Sequence, residues 1–463
     1  MTSDMTQGAS LRLILSFTLP LLLGNLFQQL YNLADAVIVG KYLGISALSS
    51  VNASASVLFM VNNFVIGVCC GFAIPVSQRF GAGDLRQMRR YAANAVYLAV
   101  ALAVLLTGAA VILCAPILHW LSTPADIYGG AYAYLLIIFC GIPCSILYNM
   151  GAALFRALGN SRLPFLFLVV ASILNITLDL VFILVLNLGV AGAALATIIG
   201  QGVSGILCLI VLPRKFRILH WSREEGVPSR SCMQVLLGNG LPMGLQYSVT
   251  AIGLMMLQNA VNLLGSVSVS AYAVVSKVQQ LFLCPFDALG TAMATYCGQN
   301  IGALKYDRIY RGLRQSVLIG FLYAALAALI LCTLGGVIAT ALFGLTDTTV
   351  IADARRFLIC TSLFYWLLSP LNNIRYSIQG LGFSAFAVLA GVCELAARGL
   401  VSQIIAPHVG FIGICFTDPA AWVAACLFLV PAFFHVMHRL QQKMPAPDGS
   451  AAAVPALQGA DES

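Results

Sequence analysis

Runs of twenty or more apolar residues recur along the whole chain, separated by short polar stretches. Each run is long enough to cross about 30 Å of hydrocarbon. Backbone in that setting must satisfy its own N–H and C=O groups, so spans of this length are read as helices. Twelve of them are expected, at approximately 12–38, 48–76, 92–115, 131–155, 164–186, 190–212, 236–262, 268–297, 312–335, 354–378, 384–405 and 411–436. The expected fold is an all-α polytopic membrane protein. Only 9% of the 463 residues are charged, against about a quarter in an average soluble chain.

The net charge of +8 therefore concerns topology rather than nucleic acid. Nineteen of the 24 Lys and Arg fall on the side shared by both termini, including Arg79, Arg86, Arg89 and Arg90 after the second span and Arg156 and Arg162 after the fourth. Lys41, Arg355 and Arg356 fall on the other side, and Lys277 and Arg398 inside spans. This asymmetry predicts a multi-pass inner-membrane protein with both termini cytoplasmic. No cleavable-signal pattern precedes the first span, since Arg12 leads directly into it. The 14 cysteines show no CxxC pair and no zinc-like Cys/His spacing, so they are read as free thiols packing as small hydrophobes.

The chain also repeats. A shift of 221 residues lays Leu43-Gly44 on Leu264-Gly265, Gln78 on Gln299, Gly81-Ala82 on Gly302-Ala303, Gly189 on Gly410 and Gly192 on Gly413. A shift of 223 lays Leu158-Gly159 and Ser161 on Leu381-Gly382 and Ser384. Six spans per copy is an even number, so both copies enter the membrane in the same direction. That predicts two six-helix lobes related by a pseudo-two-fold axis along the membrane normal, with a cavity between them. The expected organisation is a first lobe at 1–213, a cytoplasmic linker at 214–235, a second lobe at 236–440 and a disordered tail at 441–463.

Polar residues inside the spans are the candidate site. Asn25, Gln28, Asn32 and Asp35 form one stripe on the first helix. A carboxylate at membrane depth costs about 2.5–3.5 kcal/mol or more, so it needs a partner or a function; the bland reading is that Asp35 reaches the headgroups. Asn175 and Asp179 share a face of span five, as do Thr197, Gln201 and Ser204 in span six. Two carboxylates in low dielectric repel, which favours a shared proton, and the same oxygens suit a hard monovalent cation. The alternative is a structural hydrogen-bond network. In the second half, span seven has Gln246 and Thr250 but no acid, and span eight carries Lys277 and Asp287. Glu394 and Arg398, at i and i+4, read as an internal ion pair, with gating or substrate contact as the alternative. Asp418-Pro419 reads as a helix N-cap followed by proline. Tyr31, Tyr148, Tyr247 and other aromatics are candidates to line the cavity, with Gln28, Gln246, Thr250, Asp287 and Glu394.

The chain resembles the multidrug and toxic compound extrusion (MATE) transporters, nearest their bacterial DinF/MepA-like branch. Pro20 with Asp35 fifteen residues later, QRFGAGD after span two, RALGNSRLP (156–164), Asn175-x3-Asp179 and GVAGAALAT (189–197) carry the resemblance in their order and spacing. It implies that Asp35, Asn175, Asp179 and Thr197 match the family's first-half cation site and that Pro20 matches a proline of the bending first helix. The expected function is secondary-active antiport of a small organic compound, cationic or amphipathic, against H+ or Na+, by a monomer in the lipid bilayer with no cofactor and no nucleic acid. The absence of acids from span seven leaves both coupling ions open. No Walker-type loop is present, which argues against ATP-driven transport by this chain alone. No Ser/His, His/Asp or metal-ligand constellation suggests an enzyme. The transporter alternative is a lipid-linked saccharide flippase, which would want a more cationic cavity than Lys277 and Arg398 provide.

Overall fold

The structure, a computed structural model, describes residues 4–121, 123–220, 222–343 and 347–442; the tail expected from 441 lies almost wholly outside them. Among these described residues, ten helices are long and apolar enough to cross a membrane, and two further pairs pass the same test as spans bent at a short break. In chain order they are α1 (Ser10–Gly44), α2 (Ser46–Gly81), α3 (Leu85–Trp120), α4 (Ala125–Cys140 and Ile142–Ala157, bent by 45°), α5 (Arg162–Val185) and α6 (Gly189–Lys215). The second set is α7 (Arg230–Leu263), α8 (Ser266–Gly302), α9 (Tyr306–Ala341), α10 (Thr348–Ser362 and Tyr365–Gly380, bent by 41°), α11 (Ser384–Val409) and α12 (Phe411–Gln442). The linker is shorter than the expected 214–235, because α6 and α7 extend as helix beyond their apolar runs and leave only 216–229 between them.

Backbone geometry repeats with the sequence. Gly44 and Gly265 (φ 85° and 96°), Gly159 and Gly382 (77° and 91°), and Gly189 and Gly410 (59° and 70°) all occupy the left-handed region, which glycine enters without a Cβ penalty. A fourth turn is made by Gly83 (φ 73°) in the first copy and by Leu304 (φ 55°) in the second. Each copy also carries a π-helical stretch late in its fifth helix, Val181–Val185 and Leu400–Ile405.

Two large apolar cores mark the two lobes, and each borrows from the other half. Met5, Ile14 and Phe17 pack into the second-lobe core with Phe286, Tyr296 and Trp422. Cys232 and Leu236, at the start of α7, pack into the first-lobe core with Phe72, Phe155 and Leu154. Helix α1 therefore crosses between the lobes: Gly24 already rests on Leu168 and Phe165 of α5. Pro20 lies at that crossing, and helical φ/ψ continues across it until Gly44.

On the side where the basic residues gather, the lobes meet backbone to backbone. A Cβ on Gly67 would stand 2.7 Å from the Met243 carbonyl oxygen, and one on Gly71 2.7 Å from that of Asn239. Gly81 and Gly302 face the backbones of Gln299 and Gln78 more closely still. The repeat's two glutamines then reciprocate: Gln78 Nε2 donates to Gly380 O (3.0 Å), and Gln299 Nε2 donates to Ala157 O (3.0 Å). The segment before α1 seals the same face, with Met5 N donating to Gln299 Oε1 (2.8 Å) and Lys305 Nζ to Thr6 O (2.8 Å).

Candidate functional site

A cluster rich in unpaired acceptors sits inside the first lobe. Asp35 of α1 faces Asp179 of α5 closely enough for the two carboxylates to share a proton. Asn175, one turn earlier on α5, donates from Nδ2 to Thr197 Oγ1 of α6 (3.4 Å), and Thr197 Oγ1 donates to Ala193 O (3.0 Å). Tyr31 and Tyr134 lie within electrostatic reach of both acids. Asp35 Oδ1, both oxygens of Asp179 and Asn175 Oδ1 are buried, and none receives a hydrogen bond. Four orphaned acceptors in one buried site call for a proton or an oxygen-seeking cation, since an unpaired carboxylate there is strongly disfavoured. The wide turn of the π-helical stretch begins two residues after Asp179, a feature frequent at functional sites.

The second lobe answers this site with closed ion pairs. Thr197 and Asp418 are 221 residues apart, yet Asp418 Oδ1 accepts from Arg398 Nε (3.2 Å) and Nη2 (3.1 Å), and its Oδ2 accepts from Gln279 Nε2 (3.2 Å). Asp418 lies within α12, so it is not the N-cap expected from the sequence. Glu394 is paired with Arg375 of α10, not with Arg398 of its own helix. All four residues are buried. With water excluded, each charge takes the partner that a neighbouring helix brings closest, and the i, i+4 spacing loses its hold. Glu394 is therefore not a cavity residue, and Arg375, near the basic-side end of span ten, is buried in this pair. Gln246 is also buried, accepting from Gln379 Nε2 (3.2 Å), and its own amide reaches Thr250 Oγ1 (3.4 Å), so this pair is spent on packing.

Between the lobes, above the basic-side seal, polar side chains of α2, α4, α7, α8 and α10 form a floor. Asp287 of α8 is solvent-accessible, with one weak bond from Asn372 Nδ2 (3.5 Å). Tyr247 of α7 and Tyr376 of α10 join their hydroxyls at 2.9 Å. Arg156, in the last turn of α4, turns inward and donates from Nη2 to Cys70 Sγ of α2 (3.4 Å), beside Tyr148 and Tyr247. Tyr148 thus reaches this floor, its hydroxyl also donating to Pro164 O (3.4 Å). Gln28 of α1 is exposed, and Tyr31 belongs to the acid cluster rather than the floor. The sequence placed Arg156 just past the end of span four and missed its inward turn. The only available signal was its position one turn after an unbroken apolar helix face.

Two six-helix lobes with a buried acceptor cluster in the first and a polar floor between them define a polytopic membrane transporter fold. The MatE family profile matches twice, over residues 20–181 and 242–404, and the chain belongs to this family. It is 32% identical over 306 residues to the probable multidrug resistance protein YpnP of Bacillus subtilis, covering 66% of this chain and 68% of that one. It is 24% identical over 436 residues to the probable multidrug resistance protein YoeA of the same organism, covering 92% and 94%. Its fold superposes on the outward-facing conformation of a multidrug resistance MATE family transporter with a TM-score of 0.87 at 21% identity, covering 95% of this chain and 99% of that one.

Proposed function

We propose that the chain is a secondary-active antiporter that exports small organic compounds across the inner membrane in exchange for H+ or Na+. The observation that carries this reading is the set of four orphaned, buried oxygens on Asp35, Asn175 and Asp179. The multidrug names of its relatives support the export of organic substrates. The Lys and Arg asymmetry supports cytoplasmic termini, which makes the sealed basic side the inner one and the cavity outward-facing. In that state a proton or sodium ion enters from outside and settles between Asp35 and Asp179. Filling the site removes the repulsion of two bare carboxylates and lets α1 repack on α5. Pro20, where α1 passes from one lobe to the other, is the bending point, because a helix lacks a backbone hydrogen bond there. The membrane potential adds about 2.3 kcal/mol per charge per 100 mV to inward cation entry.

Efflux of a fluorescent organic cation from proteoliposomes under imposed pH or sodium gradients tests the reading. Wild type is expected to respond to one of the two gradients, which names the ion. Asp35→Asn and Asp179→Asn are each expected to abolish driven efflux at normal protein levels. Full activity in both variants would remove the site.

A further inference from the structure

Among the described residues, Arg375 and Arg398 are buried within spans and Arg156 turns inward from the end of α4. Arg375 and Arg398 are each matched by a carboxylate, Glu394 and Asp418. Arg156 is not: its one side-chain hydrogen bond goes to a thiol sulfur at 3.4 Å, and no ion pair reaches it among the described residues. A guanidinium without a counter-ion persists in a membrane protein where water reaches it or where a ligand arrives. Arg156 is partly accessible, although Ala157 beside it accepts the Gln299 bond of the basic-side seal. The charge therefore stands on the polar floor between the lobes, directly above the closure.

Its surroundings are those of an anion receptor. Tyr247 lies within electrostatic reach of Arg156, and it shares one hydrogen bond with Tyr376. A hydroxyl pair uses one of its two hydrogens internally, which leaves one O–H free to donate. Arg156 adds a fork of donors whose geometry matches a carboxylate or a phosphate. Asp287, the accessible carboxylate of the floor on α8, lies within electrostatic reach of the same tyrosine pair. The floor is thus bipolar, with a cationic end on the first lobe and an anionic end on the second.

We propose that Arg156 receives the anionic group, a carboxylate or phosphate, of organic substrates whose cationic or polar remainder faces Asp287. Zwitterionic organic compounds are thereby the preferred cargo, rather than simple cations. The inference deepens the export reading and rests on it for the word cargo, but the binding step is testable without transport.

The probes are rhodamine B, a xanthylium cation bearing a carboxylate, and its ethyl ester, which keeps the cation and loses the anion. Fluorescence anisotropy gives both affinities for the purified full-length protein, with no ion gradient. In Arg156→Gln the ratio of acid to ester affinity is expected to fall on the order of tenfold relative to wild type, through weaker binding of the acid alone. Unchanged ester binding shows that the variant is folded. Arg156→Lys keeps the charge without the fork and is expected to fall between. A ratio unchanged in Arg156→Gln, equal weakening of both dyes, or no binding of the acid dye to wild type overturns the proposal. Absence of gradient-driven efflux by the wild type, with the fall of the ratio in Arg156→Gln observed, would instead count against antiport.

Discussion

At the scale of single residues, the second lobe's buried charges are stabilising only as complete sets. Asp418 satisfies Arg398 through two bonds and Gln279 through a third, and Arg398 Nη1 already has no partner. Removing the carboxylate leaves a guanidinium uncompensated, a change that costs about 3–5 kcal/mol in buried pairs. Asp418→Asn is therefore expected to lower the midpoint of thermal unfolding and the membrane yield. Replacing the pair together, Arg398→Met with Asp418→Leu, is expected to recover most of that loss; thermal unfolding monitored by fluorescent size-exclusion chromatography reads both. Glu394→Gln is expected to reduce yield in the same way while the molecules that fold keep transport, since Glu394 serves Arg375 and not the cavity. These partners were hidden in the sequence. Glu394 and Arg398 offer an i, i+4 pair that satisfies every one-dimensional rule, whereas their real partners are decided by which faces of α10, α11 and α12 meet. The first-lobe site was legible because its members sit at membrane depth with no charge of opposite sign within a helical turn to explain them.

At the scale of elements, the glycines of α2 and α8 allow two backbones to touch. A side chain at Gly302 would collide with the Gln78 carbonyl across the seal. Gly302→Val is expected to hold the lobes apart on the basic side. Labelling of Cys70 by an impermeant maleimide, followed by peptide mass spectrometry in inside-out vesicles, is expected to rise severalfold over wild type. The repeat paired Gly81 with Gly302, 221 residues apart in sequence, but it could not show that each glycine faces the other lobe's backbone. The linker is a second element with an unexpected attachment. Arg89 of α3 grips Glu225 through Nε (2.8 Å) and Nη2 (2.6 Å), Ser222 N donates to the same carboxylate (2.9 Å), and Asn94 Oδ1 accepts from Ser229 N (2.8 Å). These donors hold the Glu225 carboxyl down at about 2, below its ordinary 4.5. A depressed acid contributes stability that is complete above its unfolded value and is lost as pH falls toward the folded one. Docking of the linker is therefore expected to be constant from neutral pH to about 4.5 and to fail between there and about 2. Hydrogen exchange of 216–229 follows it, and Glu225→Gln is expected to speed tryptic cleavage at the exposed Arg223 severalfold at neutral pH without altering transport.

At the scale of the whole molecule, the two lobes are alike in backbone and unlike in chemistry. One carries an open acceptor cluster and the other, at the related place, closed ion pairs, so in the proposed antiport an ion's binding energy enters through the first lobe. The boundary between the lobes is also not where the linker is. Residues 5–17 complete the second core, and residues 232 and 236 help to complete the first. A chain cut between Gly226 and Val227 and expressed as two pieces is expected to reassemble into a transporting complex. Either piece alone is expected to be degraded, and affinity capture of one piece through a tag on the other reads the outcome. The exchange has a mechanical consequence. Two bodies that each hold the other's leading helix cannot drift apart or rotate freely, and their relative motion is confined to tilting about the place where those helices cross. Pro20 of α1 and Pro242 of α7 lie along the two crossing helices, so the travel of the machine is limited by how far a pair of rods can flex, and a stiffer rod would slow both directions of the cycle alike.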